Sequence, residues 1–190
     1  MPWALGRSPA NAAAWRRSWC TAILLAATGC GGSKYEQIKA PDYADGSVRS
    51  LAIAPSDSLF GDGSQLADAV GAELGKRGFT VVDTTGAAVL LSKYGISQVD
   101  VRAPEALAAL GKEGVDAILS VSSTAATMGG PGMRHVKVRL ISTRTSKEIG
   151  GIDWHNAWGG VPGSPADFTM RKGLADAAQE IAEALAKLLG

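Results

Sequence analysis

Two histidines, His135 and His155, stand on either side of Thr143-Arg144-Thr145-Ser146-Lys147, in two runs that alternate apolar and polar residues. With Thr145 as the pivot of a β-hairpin, Val136 faces Trp154, Val138 faces Ile152 and Leu140 faces Gly150 on an apolar side. The other side then carries His135 opposite His155 and Lys137 opposite Asp153. Cross-strand Cβ atoms about 4.5–5.5 Å apart would bring two imidazoles to one zinc or copper ion, with Asp153 as a third ligand. A polar, solvent-facing sheet explains the three residues more simply, so no metal and no cofactor is assigned.

Catalytic groups are otherwise scarce. The sequence holds no Gly-x-Ser-x-Gly elbow, P-loop or His-Glu-x-x-His pattern. Gly61-Asp62-Gly63 resembles half of a phosphate-binding turn but lacks a following glycine and a basic partner. The expectation is a protein that is not an enzyme. A binding surface is the better candidate, in the aromatic and glycine-rich corner from Trp154 to Gly163, with Trp154 and Trp158 on one side by strand parity. The simpler reading is that both indoles cap the core beneath the C-terminal helix, and the alternative is a partner-binding edge, since tryptophan is enriched at interface hot spots. Met128 and Met133 bound a glycine-rich neighbour of that corner.

Cys30 offers covalent chemistry of another kind. Arg16-Arg17 precede an apolar run from Thr21 to Thr28, which ends in Gly29-Cys30-Gly31-Gly32. A basic start, a short apolar core and small residues make an export signal, too short to span a bilayer as a stable helix. Ala27-Thr28-Gly29-Cys30 resembles a bacterial lipobox, which implies acylation of Cys30 with palmitate-like chains and removal of residues 1–29. Each buried methylene contributes about 0.8 kcal/mol, and two or more chains hold a protein on a membrane. An ordinary secretory signal stays open, because Ala27 stands where a lipobox most often has Leu, and so does a twin-arginine signal at Arg16-Arg17.

Loss of residues 1–29 removes Arg7, Arg16 and Arg17 and no acid from 19 basic and 18 acidic side chains, leaving a formal charge of −2. No basic stripe for nucleic acid remains. Cys20 leaves with the signal, so packing rather than disulfides must stabilise the exported domain. Residues 30–47 read as the lipidated cysteine and a flexible tether, and residues 48–190 as one α/β domain.

The elements expected there alternate. Val48 to Pro55, Phe79 to Asp83 and Val115 to Ser122 read as strands. Helices are expected after Ser64, after Thr84 or Thr85 as cap, from Pro104, and from Ser164-Pro165 to the end. The last has a clean stripe of Leu174, Ala177, Ala178, Ile181, Leu185 and Leu188, with Arg171, Lys172, Asp176, Glu180, Glu183 and Lys187 outward. The result is a mixed sheet with a C-terminal antiparallel hairpin, packed by about four helices.

The segments SLAIAP, LGKRGFTVVD, GVDAILSVS and VKVRLISTRTSKEI with the C-terminal helix resemble the periplasmic lipoprotein domain of the curli secretion channel CsgG, the penicillin-binding-protein activator LpoB and the TolB N-terminal domain. In that group the hairpin turn usually reads Asp-x-x-Thr-Gly; here it is Thr145-Ser146, so Ser146 stands where glycine is favoured. The resemblance implies a lipoprotein of the outer membrane, facing the periplasm, since no aspartate comes directly after Cys30. It also implies a scaffold or secretion-accessory role with envelope proteins or with further copies of itself. A regulator of a peptidoglycan synthase and a metal- or small-ligand-binding protein are the alternatives. The loops at Ser56 to Gly63 and Ala125 to Gly132 are too short to add membrane-spanning hairpins.

Overall fold

The computed structural model describes residues 33–44, 46–55, 62–97, 101–125, 133–156, 165 and 171–190. The strands are β1 (Lys34–Lys39), β2 (Ser50–Ile53), β3 (Thr80–Val82), β4 (Ala117–Ala125), β5 (Met133–Ser142) and β6 (Glu148–His155). The helices are α1 (Asp62–Lys76), α2 (Thr84–Ser92), α3 (Pro104–Lys112) and α4 (Leu174–Leu189). One mixed sheet runs β1-β6-β5-β4-β2-β3, with β2 parallel to both β3 and β4 and the remaining pairs antiparallel.

Strands β2 and β4 are apolar on both sides because both sides are covered. Leu51, Ile53, Leu119 and Val121 join α1 and α4 in one core, whereas Ala52, Ala54 and Ile118 join α2 and α3 in a second. From β4 outward the second cover ends. Val136, Val138, Leu140, Ile152 and Trp154 still pack on the α4 side, and the residues between them turn polar. The expected α/β architecture of a mixed sheet, a C-terminal hairpin and four helices is the one found.

Several boundaries differ from the sequence reading. Residues 34–39, taken there as tether, form the edge strand β1, whose six residues pair with β6 from Lys34↔His155 to Lys39↔Gly150. Gln37 Nε2 donates to the Ala184 carbonyl at 2.7 Å and the Tyr43 hydroxyl to the Leu189 carbonyl at 3.2 Å. The segment is fixed by polar bonds to α4, which leave no apolar alternation for a sequence reading to detect.

Helix starts moved as well. Asp83, not Thr84 or Thr85, caps α2, its Oδ1 accepting from the Gly86 N–H at 2.6 Å. The helix α1 begins at Asp62, so Ser64 lies inside it. Gly173 precedes the first residue of α4, well beyond the expected start at Ser164-Pro165. Lys172, read as outward-facing, instead turns back to Glu180.

Candidate functional site on the C-terminal hairpin

Strand β6 sends alternate side chains to opposite sides, and the two sides have different chemistry. The expected register is the observed one: Val136↔Trp154, Val138↔Ile152 and Leu140↔Gly150 on the core side, His135↔His155 and Lys137↔Asp153 on the other. After Leu140 the pairing shifts by one, to Ile141↔Glu148. At the turn Ser146 has φ +56°, the left-handed region that favours glycine, which is what its position had implied.

On the core side Trp154 is fully buried. Its indole N–H donates to Glu180 Oε2 at 2.9 Å, and the same carboxylate takes a hydrogen bond from Ser33 and an ion pair from Lys172. Burial pulls the Glu180 pKa upward, and the bonds from Lys172, Ser33 and Trp154 outweigh it, so the group ends below the usual glutamate value. Trp154 was a candidate partner contact. That assignment is corrected: the indole lies beneath α4 and holds the start of β1 through Glu180.

The opposite side is open and charged. His135 and His155 stack with ring centroids 4.1 Å apart and 10° between planes. Burial pushes the His135 pKa down and the neighbouring His155 adds to this, while Asp153 opposes it. Asp153 Oδ1 accepts from Arg139 Nη1 at 2.5 Å, and this bond holds the carboxyl below its ordinary range. The guanidinium lies across Gly151, where a Cβ would stand 2.9 Å from Arg139 Cδ and collide with the Val138 carbonyl. Glycine at this position is what lets Arg139 bridge Asp153 and, at 3.3 Å, Glu148.

Asp153 is therefore engaged by arginine rather than aimed at the histidines, and among the described residues no three His, Cys, Asp or Glu groups converge on a metal position. Met133 opens β5. Its side chain, and Met128, Trp158 and Cys30 entirely, lie outside the described residues.

A cavity of about 580 Å³ opens at the hairpin turn, between residues 40–48, the end of α3 and the β5–β6 connection. Tyr43, Val48 and Ile149 give it an apolar wall, and Lys112, Arg144 and Asp116 a polar one. Asp116 is already committed, Oδ2 accepting from the Arg49 and Ser50 N–H groups at 2.8 and 2.9 Å. Sequence reasoning missed this cavity because one wall is made of residues it assigned to the tether. One forward signal was Tyr43, an aromatic in a segment read as tether.

No protein-family model and no curated protein matches the chain. Solved structures do. The PelC dodecamer from Paraburkholderia phytofirmans aligns at 15% identity and a TM-score of 0.50, over 84% of this chain and 99% of that one. The LpoB C-terminal domain from Escherichia coli aligns at 14% identity and a TM-score of 0.45, over 62% of this chain and 88% of that one. TolB from Acinetobacter baumannii aligns at 17% identity and a TM-score of 0.40, over 83% of this chain but 31% of that one. LpoB and TolB are two of the proteins to which the sequence segments were similar. The chain shares its fold with the PelC subunit along nearly the whole length of that subunit.

Proposed function

We propose that this chain is a lipid-anchored, non-catalytic subunit of a cell-envelope assembly, held on the periplasmic face of the outer membrane and working as a homo-oligomer. The observation that carries the reading is the fold shared with PelC over 99% of that chain, since PelC assembles as a dodecamer. The sheet supports it: β1 and β3 end the strand order on opposite sides, and among the described residues neither has a second strand neighbour. Contacts between two unlike surfaces of one subunit are the kind that close into rings. The open face, with its stacked imidazoles and its arginine clamped by carboxylates, offers polar binding rather than a nucleophile and base.

The anchor rests on Cys30 and its flanking residues. Ser33 is held by Glu180 and Lys172, so the three Cα-to-Cα steps from Cys30 to this fixed point reach about 10 Å at most. On this reading a lipid on Cys30 would keep the domain close to its membrane.

Crosslinking in intact envelopes, with subsequent pull-down of the full-length chain, tests both parts. The reading expects multimers of the chain itself, and expects Cys30→Ser to leave the membrane fraction. A chain recovered only as a monomer, or a Cys30→Ser variant that stays membrane-bound, contradicts it. A monomer that captures a peptidoglycan synthase would favour the regulator alternative.

A further inference from the structure

The cavity at the hairpin turn is walled by three segments, and each is fixed by bonds of its own. In residues 40–48 the Ala40 N–H donates to the Ile149 carbonyl at 3.1 Å and the Gly46 N–H to the Leu189 carbonyl at 2.7 Å, the carbonyl that also accepts from the Tyr43 hydroxyl. In the β5–β6 turn the Arg144 and Thr145 N–H groups donate to Ser142 Oγ at 3.2 and 3.3 Å. Thr143 Oγ1 ties that turn to the segment after α3 by donating to the Val115 carbonyl at 2.6 Å. A volume of about 580 Å³ is that of a small-molecule site, and walls already held need little ordering when a ligand enters.

The charged side chains that line it are unequally engaged. Asp116 accepts from the Arg49 and Ser50 N–H groups, and Glu148 lies 3.3 Å from Arg139. Among the described residues Arg144 and Lys147 have no ion pair, and Lys112 rests its ammonium 5.6 Å from the centroid of the Tyr94 ring, which leaves its charge uncancelled. Only Asp42, on the exposed rim, is a free carboxylate against these three cations among the described residues. Tyr43, Val48 and Ile149 supply carbon surface beside them.

We propose that this cavity binds a small amphipathic anion, a carboxylate or phosphate ester with a short apolar body. The body packs on Tyr43, Val48 and Ile149. The head meets Arg144, whose planar fork matches two oxygens of a carboxylate or phosphate, while Lys147 and Lys112 add positive charge. A cation meets uncancelled charge of its own sign, and a bare inorganic anion forgoes the apolar wall. A membrane phospholipid and a free small molecule share the chemistry of the head, and the test separates them. The inference stands independently of the oligomer.

The test is calorimetric titration of octanoate into the full-length protein in nanodiscs of zwitterionic lipid, with empty nanodiscs subtracted. Wild type should bind one equivalent about tenfold more tightly than octanol, which has the same body without the charge, and more tightly than inorganic phosphate, which lacks the body. The double variant Arg144→Gln with Lys147→Gln, at exposed turn positions, should lose the preference for octanoate over octanol. Ala108→Phe, which fills the cavity from an exposed position on α3, should weaken both, with circular dichroism confirming the fold. Competition when phosphatidylglycerol replaces part of the lipid would identify the anion as a membrane lipid, and undiminished octanoate binding there would identify it as a free molecule; each is the proposed chemistry. No saturable binding above empty nanodiscs, octanoate and octanol bound alike by wild type, or unchanged titrations in the folded variants would overturn the proposal.

Discussion

The two faces of the C-terminal hairpin share one backbone and differ in nearly everything else. One residue apart on β6, Trp154 is sealed beneath α4 with its N–H on Glu180, and His155 stands exposed against the ring of His135. The difference teaches that depth, set by strand parity and by which helices cover which side, decides what a residue does before its chemical type does. Trp154, of the residue type most suggestive of an interface, is structural, and the opposite side of the same strand carries the stacked histidines and the Arg139–Asp153 pair.

The comparison breaks most readily on the core face. Trp154→Ala should cost about 3–5 kcal/mol through lost burial and a residual cavity, read as a collapse of the denaturant midpoint. A stable variant would mean that the indole is not in the core. Trp154→Phe keeps most of the apolar area and removes the donor to Glu180, so it should fall well short of that loss.

Next in size, Glu180→Gln should cost about 1–3 kcal/mol at neutral pH, since Lys172, Ser33 and Trp154 all meet on that carboxylate. The folded pKa of Glu180 is depressed, so its contribution is complete above the ordinary glutamate value of 4.5 and is lost as pH falls through the folded value. A pH series of melting temperatures should show wild type losing that increment in acid and the variant lacking it. Gly151→Ala should cost a similar amount, about 1–3 kcal/mol, by forcing Arg139 and the Val138 carbonyl away.

Smaller effects sharpen the open face. Ser146→Gly should raise stability by about 0.5–1 kcal/mol, because φ +56° strains a side chain and not glycine. His135 has a folded pKa below its ordinary 6.5, so wild type should lose stability as pH falls from that value toward the folded one. His135→Gln should make the slope in that window shallower; equal slopes would show that the stack has no part in it.

Legibility in the sequence divides along the same line. The hairpin register was legible because a period of two leaves only one arrangement with Val136, Val138, Ile152 and Trp154 on a common side. The stripe of α4 was legible for the analogous helical reason, and Ser146 because a turn position constrains φ whatever residue fills it. Strand β1 was not legible. Lys34 to Lys39 has no apolar face, and what holds it is backbone pairing to β6 and the amide of Gln37 on α4, neither of which leaves a periodicity. The cavity was lost with β1, since residues 40–48 form its wall. Trp154 was placed on the right side of the sheet, but parity alone does not say how deeply α4 covers that side.

The most direct test of the proposed oligomer is the mass of the full-length, lipidated protein in mild detergent, measured by light scattering at micromolar concentration. A discrete multiple of the subunit mass, unchanged on dilution over the micromolar range, is the predicted result. A single subunit mass at every concentration would contradict it.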